Sequence, residues 1–101
     1  MEREPDLSQV AGVLASLGHE ARLSVYRVLV RAGGAGLNVK SIAAHLDLPS
    51  STLAHHLRAL VQAGLVIQER QGRETVCKPN FDAVENVMSF LNEECCKGFE
   101  D

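Results

Sequence analysis

Cys95 and Cys96 are adjacent, and two neighbouring thiols raise a direct chemical question. A disulfide between them would close a strained small ring, so the pair is not expected to be a structural crosslink. Cys77 is the third cysteine; three cannot all pair with one another, and a reducing compartment would keep them as thiols. As thiolates they are soft ligands. The competing reading is two incidental surface thiols. Their surroundings are Glu93-Glu94-Cys95-Cys96-Lys97-Gly98. The two carboxylates and the negative end of a helix finishing here should raise the thiol pKa values, with Lys97 offsetting part. That argues against a hyper-reactive redox thiolate. Cys77 falls in a strand pattern and reads as a small apolar filler.

A second group of side chains lies between Pro49 and Gly64. Leu53, His56, Leu57, Leu60 and Val61 recur at three- and four-residue steps and share a helix face. The other face carries Ser51, Thr52, His55, Ala59 and Gln62, with Arg58 at its flank. It is short, hydrogen-bonding and sparsely charged. Such a face suits contact with a polar surface better than solvent, although a solvated amphipathic helix would share the periodicity. The stretch opens with residues that cap helices and closes on a glycine suited to a left-handed stop.

Charge supports the contact reading. Residues 1–20 hold one Arg against four carboxylates, residues 21–81 eight Lys or Arg against three, and residues 82–101 one Lys against six. A basic centre between acidic ends fits a nucleic-acid binder that makes contact through its middle; accidental unevenness among so few charges is the alternative. No nucleophile–base pair or carboxylate dyad is brought together by the helical periods, so an enzyme is not expected and no enzymatic cofactor is implied. The acidic N-terminus does not resemble a signal peptide, and no apolar run approaches the roughly 20 residues of a membrane span. A cytoplasmic protein with no membrane partner is the expectation.

The elements that must position these groups form one domain over residues 1–101, a size that can bury a single core without disulfides. Leu7, Val10, Ala11, Leu14 and Leu17 keep a helical period that Gly18 ends. A second helix spans about Glu20 to Ala32, with Leu23, Tyr26 and Val30 on one side and Arg22, Arg27 and Arg31 on others. Gly33-Gly34-Ala35-Gly36 lacks the Gly-Lys-Ser/Thr of a phosphate loop and reads as a flexible connection. Leu37-Asn38 suits a short strand, and Lys40 to Leu46 a short helix with Ile42, Ala43 and Leu46 inward. Asp47-Leu48-Pro49 turns into the next helix, completing a helix-turn-helix. Val66–Arg70 and Arg73–Lys78 read as strands around a Gln71-Gly72 turn, with Arg70 and Arg73 flanking the tip. Pro79 stops the second strand, and Asn80 is placed to cap a last helix carrying Asp82 in its first turn and Phe81, Val84, Val87, Met88 and Leu91 as an apolar stripe. The fold class is mainly α with a β-hairpin, a winged helix-turn-helix of order α-α-α-α-β-β-α. Its first and last helices are candidates for a dimer interface; packing onto their own domain is the alternative. Of the histidines, His56 reads as a core residue with a satisfied nitrogen, and His55 faces outward. His45 meets solvent or backbone, and His19 belongs to the bend before the second helix.

Nearly the whole chain resembles the ArsR/SmtB family of metal- and metalloid-responsive repressors. The similar passages are Leu17-Gly18-His19-Glu20-Ala21-Arg22-Leu23, Ile42-Ala43-Ala44-His45-Leu46, Ser51-Thr52-Leu53-Ala54-His55-His56-Leu57 and Ala63-Gly64-Leu65-Val66. Each is weak alone; their order and spacing are specific. The resemblance implies a homodimer that occupies operator DNA and leaves it when an inducer binds. The operator contacts would come from Lys40, from Ser50, Ser51, Thr52, His55 and Arg58 in the major groove, and from Arg70 and Arg73 on the backbone or minor groove.

Two inducer sites of the family are missing here. Where one resembles a Cys-Val-Cys triplet, this chain has Asn38-Val39-Lys40. Where another wants Asp-x-His, Asp82 is followed by Val84, and no histidine lies beyond His56. What remains is Cys95-Cys96, similar to a vicinal pair in the C-terminal helix of one arsenic-responsive branch. The inducer implied is trivalent arsenic, as arsenite or a methylated arsenical, or antimony. Some relatives add a third thiolate slightly beyond the pair; the sequence reaches Asp101 without one, and a dithiolate site or a third ligand beyond Asp101 are both open. Neighbours on a regular helix point about 100° apart, so convergence of the sulfurs needs the helix to fray, with Gly98 as the expected place. Alternatives of other classes are a thiol-redox or persulfide sensor on the same fold, and a winged helix used as a protein-interaction module.

Overall fold

A computed structural model describes residues 6–99; Glu2, Glu4, Glu100 and Asp101, which contribute to the acidic ends, lie outside them. The helix α1, Leu7–Leu17, starts where it does because Asp6 accepts the Gln9 backbone N–H at 2.8 Å while the Gln9 side chain accepts that of Asp6 at 3.1 Å. This reciprocal cap satisfies two N–H groups that the helix cannot. Gly18 ends the helix, and α2 follows over Glu20–Ala32. Its buried face is Val25, Tyr26 and Leu29. Leu23 and Val30, expected to point inward with Tyr26, are each 42% exposed. Val25 and Leu29 set the inward direction, and Leu23 and Val30 stand about 120–140° round from it.

The glycine-rich connection is more constrained than its composition implies. Gly36 has φ +76°, and a Cβ there would meet the Cys77 carbonyl oxygen at 2.5 Å. A side chain is excluded because the backbone passes tightly over the sheet. Leu37–Asn38 then forms β1, paired antiparallel with β3 (Glu74–Pro79), which pairs on its other side with β2 (Val66–Gln71).

Between β1 and β2 lie α3, Val39–Leu46, and α4, Ser50–Gln62. Asn38 caps α3 by accepting the Ser41 N–H at 2.8 Å. Asp47 turns the chain in the left-handed region, φ 53°, and Pro49 takes the N-cap position of α4. Ser50, Ser51 and Thr52 therefore fall inside the first turn, and no side chain caps this helix. The end is as anticipated. Gly64 has φ +79°, its N–H reaches the Val61 carbonyl at 3.0 Å, and that of Leu65 reaches Leu60 at 2.9 Å. This is the paired-bond stop that glycine favours.

In the hairpin, Gln71 lies opposite Glu74, so the turn is Gly72-Arg73, one residue later than the pattern predicts. Gly72, at φ +66°, supplies the positive dihedral that a two-residue turn needs. The last helix, α5, spans Phe81–Asn92. Asn80 holds its N-cap position without a side-chain cap; its side-chain amide donates instead to the Gly64 carbonyl at 2.9 Å, tying α5 to the end of α4.

The core gathers Val25, Tyr26 and Leu29 of α2, Ile42 of α3, Leu53, Leu57 and Leu60 of α4, and Leu65, Val66 and Cys77. Both helices of the helix-turn-helix and the wing thus rest on α2. Among the described residues no helix is long and apolar enough to cross a membrane.

Candidate nucleic-acid interface and thiol pair

Burial sorts α4 into two faces. Leu53, His56, Leu57 and Leu60 are buried, while Ser50, Ser51, Thr52, His55 and Arg58 are exposed. Val61, assigned inward, is 37% exposed, and Ala59, assigned outward, is half-buried. The contact face is thus shifted toward the start of the helix. That is where hydroxyls within the uncapped first turn leave backbone N–H groups for an outside partner.

The wing is anchored to α3. The Asn38 side-chain amide donates to Glu74 Oε2 at 3.1 Å, so one residue caps α3 and holds the wing. Lys40 and Arg73 in consequence line a shared cavity of about 450 Å³, placing two cations from distant parts of the sequence side by side. Arg73 is on the turn itself; Arg70 lies opposite Thr75. Arg58 borders a second cleft, between α4 and the sheet. Every one of these basic residues is exposed. The 3.0 Å ion pair Lys78–Glu69 holds the Glu69 carboxyl below its usual range.

The thiol pair is not in the helix. α5 stops at Asn92; residues 93–96 form turns and 97–99 are irregular, with Glu94 at φ +63°, Cys96 at +67° and Gly98 at +75°. The backbone leaves the helix before the cysteines rather than fraying at Gly98. Cys95 Sγ and Cys96 Sγ consequently stand 3.1 Å apart as free, exposed thiols. On a regular helix they would diverge by about 100°. The Cys95 thiol is pushed up from its ordinary pKa, chiefly by its hydrogen bond with Cys96; the neighbouring glutamates and the helix end, invoked from sequence, are not the cause. Among the described residues no cluster of three or more His, Cys, Asp or Glu could hold a metal ion. Cys77 is fully buried in the sheet, its thiol pushed up by burial, with Gln68 donating to its sulfur at 3.5 Å. It is core.

His56 departs from expectation. It is buried, yet its Nδ1 has no hydrogen-bond partner among the described residues. His19 lies 4.9 Å from it, ring to ring. Burial lowers its pKa first, and His19, Arg22 and His55 lower it further.

Comparison with known proteins agrees with this architecture. Residues 17–69, just over half of the chain, match the family described as a helix-turn-helix domain. Over 69 residues, 68% of the chain, it is 35% identical to a Halobacterium salinarum protein named as the arsenical resistance operon repressor ArsR. The solved structure of an ArsR-like transcriptional regulator from Rhodococcus sp. RHA1 superposes with a TM-score of 0.77 at 25% identity, covering 89% of this chain and 82% of that one. This chain belongs to the ArsR/SmtB family of winged-helix regulators. The family regulates transcription and does not comprise enzymes. A further ArsR/SmtB fold, the homodimeric winged helix-turn-helix DNA-binding domain Mb0332 from Mycobacterium bovis, gives a TM-score of 0.71 at 24% identity over 100% of this chain and 99% of that one. The chain spans about half, 53%, of the length of the curated halobacterial relative.

Two features of this ArsR/SmtB chain were beyond sequence reasoning. One is the backbone turn that converges the thiols, because Glu94 and Cys96 adopt a conformation that their residue types do not favour. The other is an open groove of about 750 Å³ between α1, α4 and α5, with Ser16 and Arg22 in its lining. Ser16 belongs to no motif, and Arg22, though part of the Leu17–Leu23 passage, has nothing in its sequence context that points to a groove.

Proposed function

We propose that the chain is an arsenic-responsive transcriptional repressor. It binds operator duplex as a homodimer and leaves it when trivalent arsenic binds Cys95 and Cys96. The observation that carries the inducer assignment is the 3.1 Å approach of two exposed sulfurs outside the regular helix. Arsenite, As(OH)₃, condenses with two thiols: two As–S bonds form, two As–O bonds break, and each S–H proton leaves with a hydroxide as water. A dithiol suits a monosubstituted organoarsenical equally well, since the third position on arsenic is already filled. A soft thiolate pair selects such an element over hard cations.

DNA binding is supported by the exposed hydroxyl and imidazole face of α4 flanked by Lys40, Arg58, Arg70 and Arg73. Side chains that hydrogen-bond read base edges, while cations outside them hold phosphates. Dimerisation is supported by the apolar surface that α1 and α5 leave uncovered: Leu7 is 73% exposed, Phe81 45%, Met88 54% and Leu91 59%. A second copy would cover it. The thiols directly follow α5, so an adduct there acts on the helix that sets dimer geometry. The raised Cys95 thiol, and a third cysteine locked in the core, speak against oxidant sensing.

Mass spectrometry of the intact protein after treatment with phenylarsine oxide is expected to give one arsenical per chain, lost in the double variant Cys95→Ser/Cys96→Ser. An unchanged adduct in that variant would overturn the site.

A further inference from the structure

The groove between α1, α4 and α5 is walled by apolar side chains, among them Val10, Val13, Ala63 and Val87. Its volume, about 750 Å³, falls within the roughly 300–1,000 Å³ of small-molecule sites. The polar groups in it are unusual. Ser16 is 7% exposed, and its Oγ makes no hydrogen bond among the described residues; nor does the buried Nε of Arg22. Both are donors, and both line the same groove. Leaving buried donors unpaired is costly, so such groups normally have a partner. Arg22 is the one full charge in the lining, which contains no carboxylate.

We infer that this groove binds a small amphipathic monocarboxylate, its carboxylate on Arg22 and Ser16 and its apolar tail along the valines and alanines. Guanidinium matches carboxylate geometry, and a serine hydroxyl beside it can donate to the same group. At 100° per residue, Ser16 stands about 180° round α1 from Leu7, and Asn86 about 200° round α5 from Met88, so the polar part of the lining faces away from these two exposed side chains, while Val10 and Val87 join the groove to the apolar stripes. Ala59, Gln62 and Gly64 place the end of the reading helix in the same lining. An occupant would therefore touch both α4 and α5, without involving either thiol.

The test is titration of the full-length protein with hexanoate, followed by NMR of backbone amides. Gly12 and Gly64 both line the groove, and their amide signals report on it. Saturable shifts at these glycines are expected, in wild type and equally in Cys95→Ser/Cys96→Ser, which separates this site from the thiol pair. Arg22→Gln should weaken binding at least tenfold, as should replacing hexanoate by hexanol. Arg22→Gln could unfold the protein, so Gly12→Leu provides a second variant. A Cβ at Gly12 meets no atom within 4 Å, and leucine suits a helix better than glycine, so the variant should fold while filling the groove and abolishing the shifts. Absence of saturable shifts in wild type would overturn the proposal. So would hexanoate binding that survives Gly12→Leu, or hexanol binding as tightly as hexanoate.

Discussion

At the scale of single residues, two titratable groups carry consequences that can be measured. The Cys95 thiol is raised because it shares a hydrogen bond with Cys96. A raised thiol has less thiolate at neutral pH and reacts more slowly with electrophiles. Alkylation of Cys95 by iodoacetamide at pH 7.5 should accordingly be slower in wild type than in Cys96→Ala, where that hydrogen bond is gone. Peptide mass spectrometry resolves the rates, and buried Cys77 serves as the unreactive internal control. His56 supplies the second case. Its pKa is lowered in the folded state, so between that value and the unfolded one, about 6.5, the unfolded chain binds more protons. The stability His56 contributes is present above pH 6.5 and is lost as pH falls through the folded value. Urea unfolding should show midpoints declining as pH drops from 7 to 5, and a shallower decline in His56→Gln. Equal slopes would contradict this account of the buried imidazole. Sequence placed His56 in the core correctly. It could not reveal the unpartnered Nδ1, because that depends on which neighbours the folded helices bring close.

At the scale of elements, periodicity and punctuation located most of the structure. The apolar spacing along α4, the glycine past its end and the strands of the wing are all local signals; the glycine is found where the pattern puts it, and the two strands within a residue of it. The discrepancies arise where a distant partner decides. The wing turn moved one residue because the pairing register sets Gln71 against Glu74. Asn80 gave up capping to bind Gly64, and the inward face of α2 was fixed by the helices packed on it. Gly36 is the sharpest example, a glycine that composition assigned to flexibility and tertiary contact assigns to close approach. Gly36→Ala combines a positive φ with a Cβ 2.5 Å from the Cys77 carbonyl. It should cost on the order of 1–3 kcal/mol, read as a lower urea midpoint at unchanged m-value. Gly34→Ala, where a Cβ meets nothing within 4 Å, should be close to neutral. Similar losses in both variants would mean that the connection is uniformly flexible.

At the scale of the whole molecule, the candidate control site and the reading helix lie at opposite ends of a mechanical chain. The thiols follow α5, α5 is tied to the end of α4 through Asn80 and Gly64, and α4 carries the contact face. An adduct on the thiols need only favour one dimer geometry over another. Couplings between such sites typically amount to about 1–3 kcal/mol, a 5–150-fold change in affinity. The order of motifs puts the cysteines downstream of every element expected to touch DNA. Sequence alone predicts fraying of the helix at Gly98 to bring the sulfurs together; instead the chain leaves the helix after Asn92, through left-handed residues at Glu94 and Cys96. The central claim is that these two sulfurs govern operator occupancy. It is tested most directly by fluorescence anisotropy of a labelled duplex selected for tight binding to the wild-type protein, titrated with arsenite. The account predicts release of the wild type and continued binding of Cys95→Ser/Cys96→Ser at the same arsenite concentrations. Release of the double variant, or a wild type that holds its duplex when saturated with arsenite, would contradict it.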